Sequence, residues 1–162
     1  NGIRMPDTDP DARGMFGGLS WSHTRAHLYR ALLEGTAYGA RHNLETSASI
    51  GADVKRMIAV GGGVKNLLWL QIVSNVTGMA QVVPERSIGA SLGDAFLAGI
   101  AAGIVPSIDA LNRDWVKPRL IVEPDLEQRA IYDEYYPIYR SLYEDSKHSL
   151  HALARLGTRG RG

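Results

Sequence analysis

Along this chain, stretches with apolar and small residues at helical spacing alternate with short apolar clusters that end in glycine or proline. Residues 1–22 follow no period, because Pro6, Pro10, Gly14, Gly17 and Gly18 interrupt them; such a density of turn formers makes a shaped loop. Ser22 or Thr24 can then cap a long helix running to about Ser47, along which Leu28, Ala31, Leu32, Gly35, Gly39 and Leu44 recur at helical spacing. Gly35 and Gly39 fall one turn apart on one face, which lowers helix propensity and admits a close backbone neighbour. Residues 56–60 form a short apolar strand closed by Gly61, Gly62 and Gly63, and a helical pattern resumes from Asn66 to Thr77. Gly78 stops that helix, residues 80–83 form a second strand ended by Pro84, and residues 90–103 form a small-residue helix closed by Gly103.

This β-α-β-α order predicts two parallel strands joined by a right-handed crossover. Two parallel strands alone lack the cover and the neighbours that such a sheet needs, so the sheet reads as incomplete. Past Pro106 only Leu120 to Val122 reads as a strand, at an edge. From Asp125 to about Leu156 the chain is a long helix, kinked at Pro137, with Tyr132, Tyr136, Tyr139 and Tyr143 as a stripe packed on its own domain. Residues 157–162 read as a frayed tail.

Composition narrows the function classes. The 162 residues carry 18 Lys plus Arg against 17 Asp plus Glu, so no basic field exists for gripping nucleic acid. There is no cysteine, which removes disulfides, thiol nucleophiles and cysteine-based zinc sites and is compatible with the cytoplasm. No run approaches the ~18 apolar residues of a membrane span. The opening Asn1-Gly2-Ile3-Arg4 has no initiator Met and neither the signal-peptide nor the transit-peptide pattern, so the chain is expected to be a fragment or a processed piece. The histidines show no metal-ligand spacing, so no metal site is expected from them.

The strongest chemical signal is residues 58–66, Ile-Ala-Val-Gly-Gly-Gly-Val-Lys-Asn. A strand ending in bare backbone just before a helix lets a ligand approach closely, and Asn66 can offer donor and acceptor to an adenine edge. The same residues also make a tight strand-to-helix turn with Asn66 as helix N-cap, and the pattern alone does not choose. It is neither the dinucleotide fingerprint nor a P-loop, since the glycine spacing differs and Lys65 is not followed by Ser or Thr.

A second block, Gly14-Met15-Phe16-Gly17-Gly18-Leu19 and then, past residues 20–26, His27-Leu28-Tyr29-Arg30-Ala31-Leu32-Leu33-Glu34, resembles the second signature of the FGGY carbohydrate kinases. Asp9-Pro10-Asp11-Ala12-Arg13-Gly14 is similar to that family's lead-in, and Arg30 to Gly35 to its continuation. Gly61 to Asn66 with Trp69 and Gln71 is similar to its adenosine motif, and Gly89 to Ala95 to its next helix start. Together the blocks cover nearly the whole chain in the right order.

The resemblance implies an α/β, actin-like ATPase (ribonuclease H-like) fold. Residues 1–162 would be the C-terminal part of its second, nucleotide-binding domain, with a first, sugar-binding domain as the missing partner. The implied activity is ATP-dependent phosphorylation of a sugar hydroxyl, with Mg²⁺, on a xylulose-type ketose first, with glycerol, gluconate and ribulose as the alternatives. Gly62 and Gly63 would line the adenosine pocket, Gly61 would shape the turn, and Asn66 would stand at its base. Ser22 would fall where backbone amides come near the ATP phosphates. No position matches the family's catalytic aspartate: Asp94 reads as a first-turn helix acid, Glu34 as a supporting or interdomain ion pair rather than a catalytic acid, and His27 as structural or exposed. The chain alone is therefore expected to be inactive. A second reading is a non-catalytic nucleotide-binding or dimerisation module, a homodimer through its sheet edge and long helix. A third, an NAD-binding domain, is disfavoured by the glycine pattern and by Val83-Pro84 where an acid should end the second strand.

Overall fold

The computed structural model describes residues 2–6, 8–86 and 89–159. Helix α1 spans Arg25–Ser49 and begins at Thr24 rather than Ser22. Thr24 is extended, with φ −111° and ψ 173°, and its backbone N–H donates to His27 Nδ1 at 3.1 Å. That bond satisfies a donor that the helix start would otherwise leave unpaired, which gives His27 a structural role.

The elements that follow are strand β1 (Met57–Ile58), a 3₁₀ turn (Gly62–Lys65), α2 (Leu67–Thr77), β2 (Gln81–Pro84), α3 (Ala90–Ala101), a π-type turn (Leu111–Trp115), β3 (Pro118–Val122) and α4 (Leu126–Arg159). The strand order is β1-β2-β3. As predicted, β1 runs parallel to β2, pairing Met57 with Gln81 and Ile58 with Val82. β3 lies antiparallel on the other side, pairing Gln81 with Val122 and Val83 with Leu120. β1 is shorter than the apolar run 56–60; the Ala59 N–H donates to Val82 O at 2.9 Å, and the chain then turns away at Gly61.

Three apolar clusters hold these layers together. In the first, Ala37 and Tyr38 of α1 pack on Ile72 and Val76 of α2 and on Tyr132 and Tyr136 of α4. Ile72 and Val76, so buried, each contribute about 1.5–3 kcal/mol. The predicted stripe of α1 lies largely outside this contact: Leu32 is 55 % exposed, and a Cβ placed on Gly35 or Gly39 meets nothing within 4 Å. The close backbone approach expected at these two glycines is therefore not made within the described residues. The helical period was legible because it is local. The covered face was decided by Tyr38, whose ring buries far more area than a glycine can.

A second cluster joins Val64, Leu70, Val83 and Val122, and a third joins Phe96, Val105 and Ala110 with Trp115 set edge-on to Phe96. Between α2 and the sheet lies a polar stitch that hydrophobic patterning did not reveal. Gln81 Nε2 donates to Leu70 O at 2.6 Å and to Ser74 Oγ at 2.8 Å, and Ser74 Oγ donates to Val122 O at 2.8 Å. Both side chains are buried, and each finds partners, as buried polar groups must.

α4 runs through Pro137 without interruption and reaches Arg159, so residues 157–159 of the expected frayed tail are helical; residues 160–162 lie outside the described residues. The tyrosine stripe packs inward as predicted, with Tyr132 and Tyr136 buried and the Tyr38 ring among Tyr132, Tyr136 and Tyr139. Tyr143 instead donates to Asp9 Oδ2, which His151 Nε2 also reaches at 2.7 Å, while the N–H groups of Asp11 and Ala12 donate to Asp9 Oδ1. This cluster fastens the N-terminal loop to α4.

Candidate nucleotide site at the glycine bend

Gly61 sits at φ +82°, a left-handed conformation that glycine adopts without the Cβ penalty, and it turns the chain out of the sheet. A 3₁₀ turn, absent from the sequence reading, then carries the chain to Asn66. A Cβ added at Gly61 or Gly62 meets nothing within 4 Å, so this stretch of backbone is open. Gly63 differs: its added Cβ would collide with the Trp69 ring, so glycine here makes room for that indole. Val64 is buried beneath the bend in the second cluster.

Asn66 caps α2, accepting the Trp69 N–H on Oδ1 at 3.2 Å. Its Nδ2 donates to the Tyr29 hydroxyl at 3.2 Å, and Trp69 Nε1 donates to Thr36 Oγ1 at 2.9 Å. The cap role left open by the sequence is thus realised. Among the described residues, one amide N–H and the second oxygen lone pair of Asn66 remain for another partner.

Gly61, Gly62, Gly63 and Asn66 come together through chain continuity. Ser22 does not join them by any described hydrogen bond; it is exposed and bonds Ser20 Oγ at 2.8 Å. The side chain that does reach Asn66 is Tyr29, which the sequence reading passed over because nothing local in α1 marks a contact with residue 66. Glu34 pairs with Arg30 at 2.8 Å within α1, so the ion pair found is intrahelical rather than between domains, and it is the Tyr132 hydroxyl, donating to Glu34 at 2.9 Å, that ties α1 to α4. That network raises the Arg30 guanidinium pKa above its ordinary value, first through the bond to Glu34 and then through Tyr132. Asp94 is exposed and, as the fifth residue of a helix that starts at Ala90 as expected, lies just past the first turn, so its first-turn placement is corrected. Among the described residues no group of three or more His, Asp or Glu side chains gathers to hold a metal ion, and no helix is long and apolar enough to cross a membrane.

A strand, a glycine bend open at its rim, a capped helix and a mixed three-stranded sheet make this an α/β unit. The antiparallel β3 sets it apart from a purely parallel dinucleotide-binding sheet. Residues 1–102 match the C-terminal domain of the FGGY family of carbohydrate kinases, and the chain belongs to that family. It is 30 % identical to a xylulose kinase of Staphylococcus epidermidis over 146 residues, 90 % of this chain and 29 % of that protein. It is 37 % identical to a glycerol kinase of Myxococcus xanthus over 134 residues, 79 % of this chain and 27 % of that protein. The crystal structure of xylulose kinase from Rhodospirillum rubrum superposes with a TM-score of 0.77 at 33 % identity, covering 88 % of this chain and 29 % of that one. The chain thus spans under a third of the length of these relatives.

Proposed function

We propose that this chain supplies the adenosine-facing side of the cleft in an ATP-dependent sugar kinase, acting in the cytoplasm with a sugar-binding domain and phosphorylating a xylulose-type ketose. Family membership supports the reaction class, and the names of the relatives favour the ketose. The observation that carries the site is the open backbone at Gly61 and Gly62 beside the capped start of α2. Bare N–H groups and the positive end of a helix suit an electron-rich ligand, and Asn66 retains a free N–H for it. In this reading Gly61, Gly62, Gly63 and Asn66 hold the nucleoside of ATP, and Ser22 lies toward its phosphates. Mg²⁺ offsets charge on the transferring phosphoryl group. The chain's part is to bind and orient ATP so that the sugar oxygen attacks in line.

Gly62 is the cleanest place to test this. A side chain at Gly61 is strained by its positive φ, and one at Gly63 strikes Trp69, whereas Gly62 has neither obstacle. Gly62→Val should therefore leave the fold intact and fill the slot. In the complete protein, assayed with D-xylulose, it should raise the KM for ATP at least tenfold, on the order of a lost ligand contact plus a clash, with the KM for D-xylulose nearly unchanged. Equal effects on both constants would sink the assignment.

A further inference from the structure

α1 reaches the edge of the glycine bend through two hydroxyls. Tyr29 Oη accepts from Asn66 Nδ2 at 3.2 Å, and Thr36 Oγ1 accepts from Trp69 Nε1 at 2.9 Å. Trp69 in turn is the side chain that crowds Gly63. Both polar side chains that open α2 are therefore held from α1, across a separation of more than thirty residues.

The Asn66 carboxamide has one orientation that satisfies this network. With Oδ1 on the Trp69 N–H, Nδ2 meets the Tyr29 oxygen; turned over, the amide would set one donor against another at Trp69. The cap bond to Trp69 sets which end of the amide is Oδ1, and the Tyr29 oxygen holds the plane of the amide; without it the carboxamide can swing about the cap bond, and a ligand would have to order it on binding. Tyr29 itself is 54 % exposed, so its hydroxyl is not there to fill a core.

We infer that Tyr29 is a positioning residue of the nucleoside slot: its phenol oxygen fixes the Asn66 carboxamide so that the remaining N–H meets the purine as a donor. This rests on the reading that the glycine bend takes the adenosine of ATP. A ring nitrogen of the purine is the acceptor that answers such a donor.

The test is the dissociation constant for ATP, measured by titration calorimetry on the complete protein, beside the unliganded Tm. Tyr29→Phe keeps the ring and removes one neutral hydrogen bond, so ATP should bind about three- to tenfold more weakly, with Tm essentially unchanged. Tyr29→Leu should weaken binding no more than Tyr29→Phe does. An unaltered constant for Tyr29→Phe overturns the inference, as does a loss seen only with Tyr29→Leu, which would make the ring a wall and the hydroxyl idle. A marked fall in Tm with Tyr29→Phe overturns it too, by making the role structural. Two controls separate this inference from the site itself. Asn66→Asp preserves a good helix cap but removes the donor, and Gly62→Val blocks the slot. If these weaken ATP binding while Tyr29→Phe does not, only the role of Tyr29 fails; if none of the three does, the nucleoside site fails.

Discussion

At the scale of single residues, Asp9 shows how a polar group in an irregular segment can do structural work. Its carboxyl accepts from Tyr143, from His151 and from two backbone N–H groups, and these bonds, Tyr143 first and His151 next, hold its pKa well below the usual carboxylate range against the opposing effect of burial. A carboxyl with a depressed folded-state pKa contributes stability that is fully present above its unfolded value of about 3.9 and is lost as pH falls below that toward the folded value. Asp9→Asn should accordingly lower Tm at pH 5, where the carboxylate is charged, and the gap should narrow below about pH 4. Scanning calorimetry across that range decides it, and a gap that widens in acid contradicts the cluster. The cluster was beyond reach of sequence because its members lie 134 and 142 positions apart. Asn66, by contrast, was legible as cap or ligand from its place after three glycines, since both roles need the same side chain at a helix start.

At the scale of elements, periodicity found α1, α2, α3 and α4 because helical spacing is written locally. It located β1 and β2 through short apolar runs ended by glycine and proline. It did not reveal that Ala37 and Tyr38, rather than the stripe from Leu28 to Gly39, form the covered side of α1. Ile72, 2 % exposed, lies where α1, α2 and α4 converge. Ile72→Ala should cost about 2–5 kcal/mol, because the three packed helices can close only part of the cavity. Urea unfolding of the complete protein measures this, and a loss under 1 kcal/mol would mean that the three helices do not share a close-packed core.

At the scale of the whole molecule, the chain exposes 11230 Å² for 17.6 kDa, whereas a compact monomer of that mass exposes roughly 7,900 Å². The excess of about 3,000 Å² is more than a standard protein interface covers. Large apolar side chains lie in it: Trp21, Ile104 and Leu126 are all more than two-thirds exposed. This agrees with the proposed role of the chain as one side of a cleft. The 162-residue chain by itself should then show no ATP-dependent phosphorylation of D-xylulose, glycerol or gluconate; turnover of any of them by the purified chain would contradict its proposed role as one side of a cleft.

What the sequence by itself determined is what short-range chemistry encodes: helix spacing, the strand–glycine–helix bend, the capping choices near Thr24 and Asn66, and, through motif order, the FGGY family. The structural features need only neighbours a few residues away, and the family needs only the order of such local blocks along the chain. Tertiary structure alone decided which face of α1 is buried, that β3 joins β2 antiparallel, that Gln81 and Ser74 stitch the sheet to α2, and that Tyr29 meets Asn66. Each of these joins residues whose separation along the chain carries no local signal, so only packing can select them.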